Sequence, residues 1–328
     1  MPEAGKVVAP MKNIRRFSIG EWGLPLVIVS IIIVTAWVEP HFWSFANLQN
    51  LLRQMAVLQI LSAGQLFAVL SGGLDLSVAA TMALAAVCGI SVLPFTGVFG
   101  GLIAMPVIGC LVGILNGSFV VAFNVSPLIV TLGMMSVARG LALLLAGGVP
   151  LYGVPDSVTA LVGFGDLLGI PVSSWIAFAI MAICAVVLRW TVFGRHVYAI
   201  GSNRAAAYNS GVPVAARIVS IYAVSGICAG TASIVSTAWV SAAQPTAGEG
   251  LELQSLAAVV VGGVALTGGA GTMRQVFLGV LLLSLLSNAL NMAGVSSFLQ
   301  VVFVGVVIIV AAVADRLRAR ASGAINSR

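Results

Sequence analysis

The run Leu102-Ile-Ala-Met-Pro-Val-Ile-Gly-Cys-Leu-Val-Gly-Ile-Leu-Asn-Gly-Ser-Phe-Val-Val-Ala-Phe123 holds 22 residues and no charge. A helix needs about 20 mostly apolar residues to cross a hydrocarbon core roughly 30 Å thick. Leu24–Val38 and Val276–Leu290 repeat the pattern. A membrane β-barrel would instead alternate apolar and polar residues over roughly ten-residue strands. Continuous apolar runs read as helices, which pair every backbone N–H and C=O within the segment.

Composition agrees with this reading. Hydrophobic residues make up 60% of the 328-residue chain and charged residues 7%, against about 25% charged in a soluble domain. The expected fold is all-α and polytopic. A single membrane domain covers 23–315, with cytoplasmic tails at 1–22 and 316–328. Apolar runs mark spans near 23–39, 54–71, 77–94, 98–123, 127–146, 172–190, 216–238, 254–267, 276–293 and 297–314. The segments 77–94 and 254–267 are short or glycine-interrupted. The count is ten, or eight if those two are re-entrant.

Charge chooses ten. Cytoplasmic loops carry the excess of Lys and Arg. With ten spans, Lys6, Lys12, Arg15 and Arg16, the loop with Arg189, Arg195, Arg204 and Arg217, and Arg316, Arg318 and Arg320 all fall inside. Asp156, Asp166, Glu249 and Glu252 then fall outside, and Arg53 is the exception near an outer end. No small-residue cleavage pattern follows Val38, so the first span reads as uncleaved. The net charge of +6 is explained by topology, with no nucleic-acid partner implied. Cys88, Cys110, Cys184 and Cys228 lack the paired spacing of a metal site and read as small buried hydrophobes. Gly109, Gly113 and Gly117 share one helix face, as do Gly226 and Gly230. Such spacing lets helix backbones approach closely.

Several function classes drop out. No Gly-x-x-x-x-Gly-Lys-Ser/Thr loop exists, and both lysines lie in the N-terminal tail. His41 and His196 fall on opposite membrane sides and cannot share a catalytic or metal site. What remains is a secondary transporter, a channel or the membrane subunit of an ATP-driven transporter. An ion-coupled transporter buries ionisable residues near the midplane, and the candidates are only Asp75, at the break between two expected spans, and Arg139. Buried charge needs a partner, so an Asp75–Arg139 ion pair is expected.

Four motifs bear on the choice. They are Ser71-Gly-Gly-Leu-Asp-Leu-Ser-Val78; Leu115-Asn-Gly117 followed by Ser126-Pro-Leu-Ile-Val-Thr-Leu-Gly133 and Ala138-Arg-Gly140; Leu256-Ala-Ala-Val-Val-Val-Gly-Gly263 running to Leu266-Thr-Gly-Gly-Ala-Gly271; and Ser287-Asn-Ala-Leu-Asn291 with Gly305–Asp315. In this order they resemble the permease subunits of bacterial ABC sugar importers of the ribose/xylose/arabinose/galactose type. Ala79 stands where that family usually has glycine. The resemblance implies a multi-pass protein of the bacterial inner membrane, surrounded by lipid and working as a homodimer or pseudodimer with a second permease copy. It also implies a separate ABC ATPase subunit that carries ATP and Mg, and a periplasmic sugar-binding protein. The permease itself binds no cofactor, catalyses nothing and alternates access for a monosaccharide or small polyol. An ion-coupled secondary transporter of a small polar solute is the alternative.

The candidate residues follow. Gly72 and Gly73 break a helix, and Asp75 and Ser77 can cap the next one. The patch is either a structural joint or part of the translocation path. Gly262 and Gly263 mark a second break that loosely echoes the first. Asn116, Thr131, Asn288 and Asn291 are neutral polar groups in apolar runs, suited to sugar hydroxyls or to interhelical bonding. Phe193–Asn203, continuing to Pro213, resembles the family's ATPase-coupling segment, with Gly194, Arg195, Gly201, Asn203, Arg204 and Gly211 as its candidates. Here Asn203-Arg-Ala-Ala-Ala207 replaces the family's common Asn-Pro-Glu-Ala-Ala.

Overall fold

The computed structural model describes residues 19–296, 298–303, 305, 306, 309 and 313. The basic tails, Arg316, Arg318, Arg320 and much of the last expected span lie outside these. The helices are α1 (Ile19–Val38), α2 (Phe45–Leu70), α3 (Val78–Ala122), α4 (Pro127–Ala146), the single turn α5 (Asp156–Val158), α6 (Val172–Trp190), α7 (Val192–Ser202), α8 (Arg204–Asn209), α9 (Val214–Val240), α10 (Leu251–Val261) and α11 (Met273–Met292). Six are long and apolar enough to cross a membrane: α2, α3, α4, α6, α9 and α11. A two-stranded antiparallel ribbon, β1 (Asp166–Leu167) with β2 (Ile170–Pro171), sits between α5 and α6.

The 45-residue α3 is a hairpin of two spans. Gly97 has φ 71° and ψ −179°, outside helical geometry. The two arms fold back on each other: a methyl group at Gly101 would stand 2.9 Å from the Gly89 carbonyl oxygen. The arm from Val78 to the turn is about 28 Å long at 1.5 Å per residue. Segment 77–94 is therefore long enough for a full crossing. The 11 residues of α10 give only about 16 Å, about half a crossing.

The two glycine faces read separately from the sequence are partners. A Cβ on Gly109 would meet the backbone of Gly226 and Gly230, one on Gly113 that of Tyr222, and one on Gly117 would lie 2.6 Å from the Val219 Cα. The second arm of α3 and α9 thus run antiparallel with backbones in direct contact, as small residues permit. Helix α2 is the central post, buried along most of its length against α6, α9, α10 and α11. Capping residues set the short helices: Thr191 accepts from the Gly194 N–H at 3.1 Å and Asn203 from the Ala206 N–H at 2.9 Å, a side-chain role common at helix starts. Arg53 sits near the outer end of α2, the expected exception to the charge pattern. It donates to the Phe164 carbonyl at 3.2 Å and lies 5.9 Å from that ring's centre, tying α2 to the outer loop.

Candidate functional site

The break after α2 is closed by a buried polar knot. Asp75 is 1% exposed and both its carboxyl oxygens are engaged. The Ser77 N–H and hydroxyl donate to Oδ1 at 3.1 and 2.6 Å, and the Ser225 hydroxyl donates to Oδ2 at 2.7 Å. Ser77 Oγ in turn accepts from Asn116 Nδ2 at 2.8 Å. The knot joins the joint, the second arm of α3 and the middle of α9. Burial demands such partners, because an unpaired polar group in a low-dielectric interior is costly. Asp75 holds the start of α3 through the Ser77 N–H, whereas Ser77 makes no side-chain capping bond.

The expected Asp75–Arg139 ion pair does not form. Hydroxyls satisfy Asp75, and Arg139 Nη1 donates to the carbonyls of Pro245 and Ala247 at 2.8 and 3.1 Å. A carboxylate with three close donors needs no cation, and a guanidinium can be satisfied by carbonyl oxygens.

Both interrupted segments meet beneath this knot, on the arginine-rich side. Gly269 N–H donates to the Leu70 carbonyl at 2.8 Å. The end of α7 presses on that junction: a Cβ on Gly201 would overlap the Leu70 carbonyl oxygen and stand 2.5 Å from Gly269 N. Tyr198 adds a hydroxyl bond to the Gly271 carbonyl at 2.8 Å. Burial pushes the Tyr198 phenol above its ordinary pKa, so this donor keeps its proton at neutral pH. Beside the junction is a cavity of about 330 Å³ lined by Ser71, Gly72, Gly73, Gly201, Asn203 and Arg204, among others. Gly201, Asn203 and Arg204 of the expected coupling residues and Gly72 and Gly73 of the first break therefore share one place.

Of the remaining candidates, Asn288 and Asn291 are the ones far from the junction. Asn288 exchanges reciprocal amide bonds with Asn47, at 2.8 and 3.2 Å, and Asn291 Oδ1 accepts from Gln300 Nε2 at 2.8 Å. These sit at the other end of the bundle and are interhelical ties. Thr131 donates to the Pro127 carbonyl of its own helix at 2.9 Å and lies 3.4 Å from the Leu74 carbonyl, beside the Asp75 knot. Gly262 packs on the Gln275 backbone, and Gln275 Nε2 donates to the Gly263 carbonyl at 3.1 Å. Gly194 packs against the carbonyls of Val187 and Leu188, while Arg195 and Gly211 are exposed.

Some residues escaped the sequence reading. Gln59, Ser62 and Gln65 are almost wholly buried on α2, and Gln59 Nε2, Ser62 Oγ and both polar atoms of Gln65 lack a partner among the described residues. Their spacing of three residues inside an apolar run was the available signal. Charge counting places Glu249 outside. In the structure Gly248 lies beside Ala79, with a methyl-to-Cβ distance of 3.6 Å, and against Met82. Met82 precedes the turn at Gly97 by 15 residues, or about 22 Å of helix. The segment around Glu249 is therefore re-entrant, deep below the outer turn.

The chain matches the family described as branched-chain amino acid transport system / permease component over residues 47–312. It is 36% identical to the ribose import permease protein RbsC of Haemophilus influenzae over 294 residues, 88% of this chain and 91% of that one. Identity to RbsC of Bacillus subtilis is 39% over 297 residues, 87% and 89% of the two chains. The L-arabinose transport system permease protein AraH of Escherichia coli is 32% identical over 302 residues, 92% of each. No solved structure matches. The apolar helical bundle and the match with these proteins over most of each chain lead to one conclusion: the chain belongs to this family of transport-system permease components.

Proposed function

We propose that this chain is the membrane-spanning subunit of an ATP-binding-cassette importer, moving a monosaccharide or related small polyol into the cytoplasm by alternating access. The relatives named for ribose and L-arabinose transport support that substrate class. In this reading a second permease copy completes the passage, a separate ATPase carries ATP and Mg, and a periplasmic binding protein delivers the sugar at the bacterial inner membrane.

The observation that carries the mechanism is the seat of Gly201 on the Leu70 carbonyl and Gly269 together. A push on α7 and α8 from the cytoplasmic side is delivered to both helix breaks at once. Breaks are where two packed bodies can rotate with little disturbance inside either. The Asp75 knot keeps the joint attached to α3 and α9 while it moves.

The test is uptake of labelled ribose and L-arabinose into proteoliposomes holding this chain, its ATPase and its binding protein. ATP-dependent uptake is expected. Uptake driven by a proton or sodium gradient without ATP would instead establish an ion-coupled transporter.

A further inference from the structure

We propose that the re-entrant segment Gln244–Gly250 lines the substrate passage, where Glu249 and Thr246 exchange hydrogen bonds with the hydroxyls of a polyhydroxylated solute. The choice of solute rests on the importer reading; the placement of the segment does not.

The descent of the chain can be followed residue by residue. After α9, Ala243 pairs with Leu151 through two backbone bonds of 2.9 Å, at the outer end of α4. Pro245 and Ala247 next give their carbonyls to Arg139. Arg139 precedes the end of α4 at Ala146 by seven residues, about 10 Å of helix. Gly248 then reaches Ala79 and Met82, about 22 Å below the outer turn. From there α10 needs only its 11 residues to reach the inner side.

At that depth the exposure of the segment is decisive. Ala242, Ala243 and Pro245 turn inward and are buried, whereas Thr246 and Glu249 are exposed and Leu253 is 50% exposed. An exposed side chain here faces lipid, or else water and a neighbouring subunit. A carboxylate facing lipid within the hydrocarbon core is costly, and such residues face cavities or bundle interiors. No cation pairs with Glu249 among the described residues, and Arg139 is occupied with carbonyls on the same segment. The face bearing Thr246 and Glu249 is therefore the wet face of the protomer, and irregular backbone at this depth is tolerated where it lines a cavity.

The chemistry suits a sugar in transit. A carboxylate accepts from two neighbouring hydroxyls, and a threonine both donates and accepts. A single carboxylate per copy binds weakly, and weak binding lets the solute leave.

The test uses the full-length chain in membrane vesicles, with its four native cysteines replaced by alanine. Single variants Thr246→Cys, Glu249→Cys and, for comparison, Ile33→Cys on the exposed face of α1 are treated with membrane-impermeant 2-sulfonatoethyl methanethiosulfonate. Positions 246 and 249 should react and position 33 should not. Equal inertness at all three places the segment against lipid and overturns the proposal. If the cysteine-free chain fails to accumulate, E249L and E249Q in the native chain carry the test through sugar uptake. E249L should lower uptake about tenfold, the effect of one lost bond to a charged group, and E249Q less; unchanged uptake in E249L overturns the contact with solute. Reaction at 246 and 249 without ATP-driven uptake would keep the passage and remove the importer reading.

Discussion

Asp75 shows how one residue's role follows from its bonds. Its carboxylate accepts from Ser77 twice and from Ser225, and Asn116 completes the knot through Ser77. Asp75→Ala leaves these donors buried without an acceptor, each costing about 1–3 kcal/mol. Thermal unfolding in detergent should therefore show D75A destabilised by about 3 kcal/mol or more. D75N, which keeps one carbonyl acceptor and lets the serine hydroxyls rotate, should lose clearly less. The Asn47–Asn288 pair is a milder case. A double-mutant cycle to alanine should return a coupling of about 0.6 kcal/mol, the usual worth of a hydrogen bond between membrane helices. Motif reading found Asp75, Ser77 and Asn116 but paired Asp75 with Arg139. Charge was visible in the sequence; the hydroxyl of Ser225, 150 residues away, was not.

Helices form the next scale, and glycine placement separates two kinds of surface. The second arm of α3 meets α9 backbone to backbone at Gly109, Gly113, Gly226 and Gly230. Gly113→Leu should force the helices apart at a cost of about 1–3 kcal/mol, read as a lower unfolding temperature and lower yield. Gly133 in α4 has nothing within 4 Å of an added Cβ. Gly133→Ala should be neutral or stabilising by up to about 1 kcal/mol, since alanine favours the helix. Sequence spacing revealed both small-residue faces but could not say that each was the other's partner, because pairing is a tertiary fact. Span positions were legible for a simpler reason: 20 apolar residues have few other uses. The segment around Glu249 was misplaced because charge counting assumes that a polar stretch between spans stays outside. Here Arg139 and the short α10 bring it into the bilayer.

The whole molecule is organised around the inner junction of α2, α7 and the 262–271 segment. Its outer half is fastened by Arg53 on the Phe164 loop and by the Asn47–Asn288 pair. The inner half carries both breaks, the cavity beside them and the arginine-bearing α7–α8 pair. This division suits a device driven from the inner face. The proposed passage of motion from α7 to both breaks through Gly201 is tested by the coupling ratio of Gly201→Val in proteoliposomes with the ATPase and binding protein. Overlap with the Leu70 carbonyl and Gly269 displaces α7 from the junction while its cytoplasmic face stays intact. ATP hydrolysis should continue while sugar uptake falls about tenfold, the factor that about 1–2 kcal/mol of overpacking makes. Uptake and hydrolysis that stay in their wild-type ratio would contradict it.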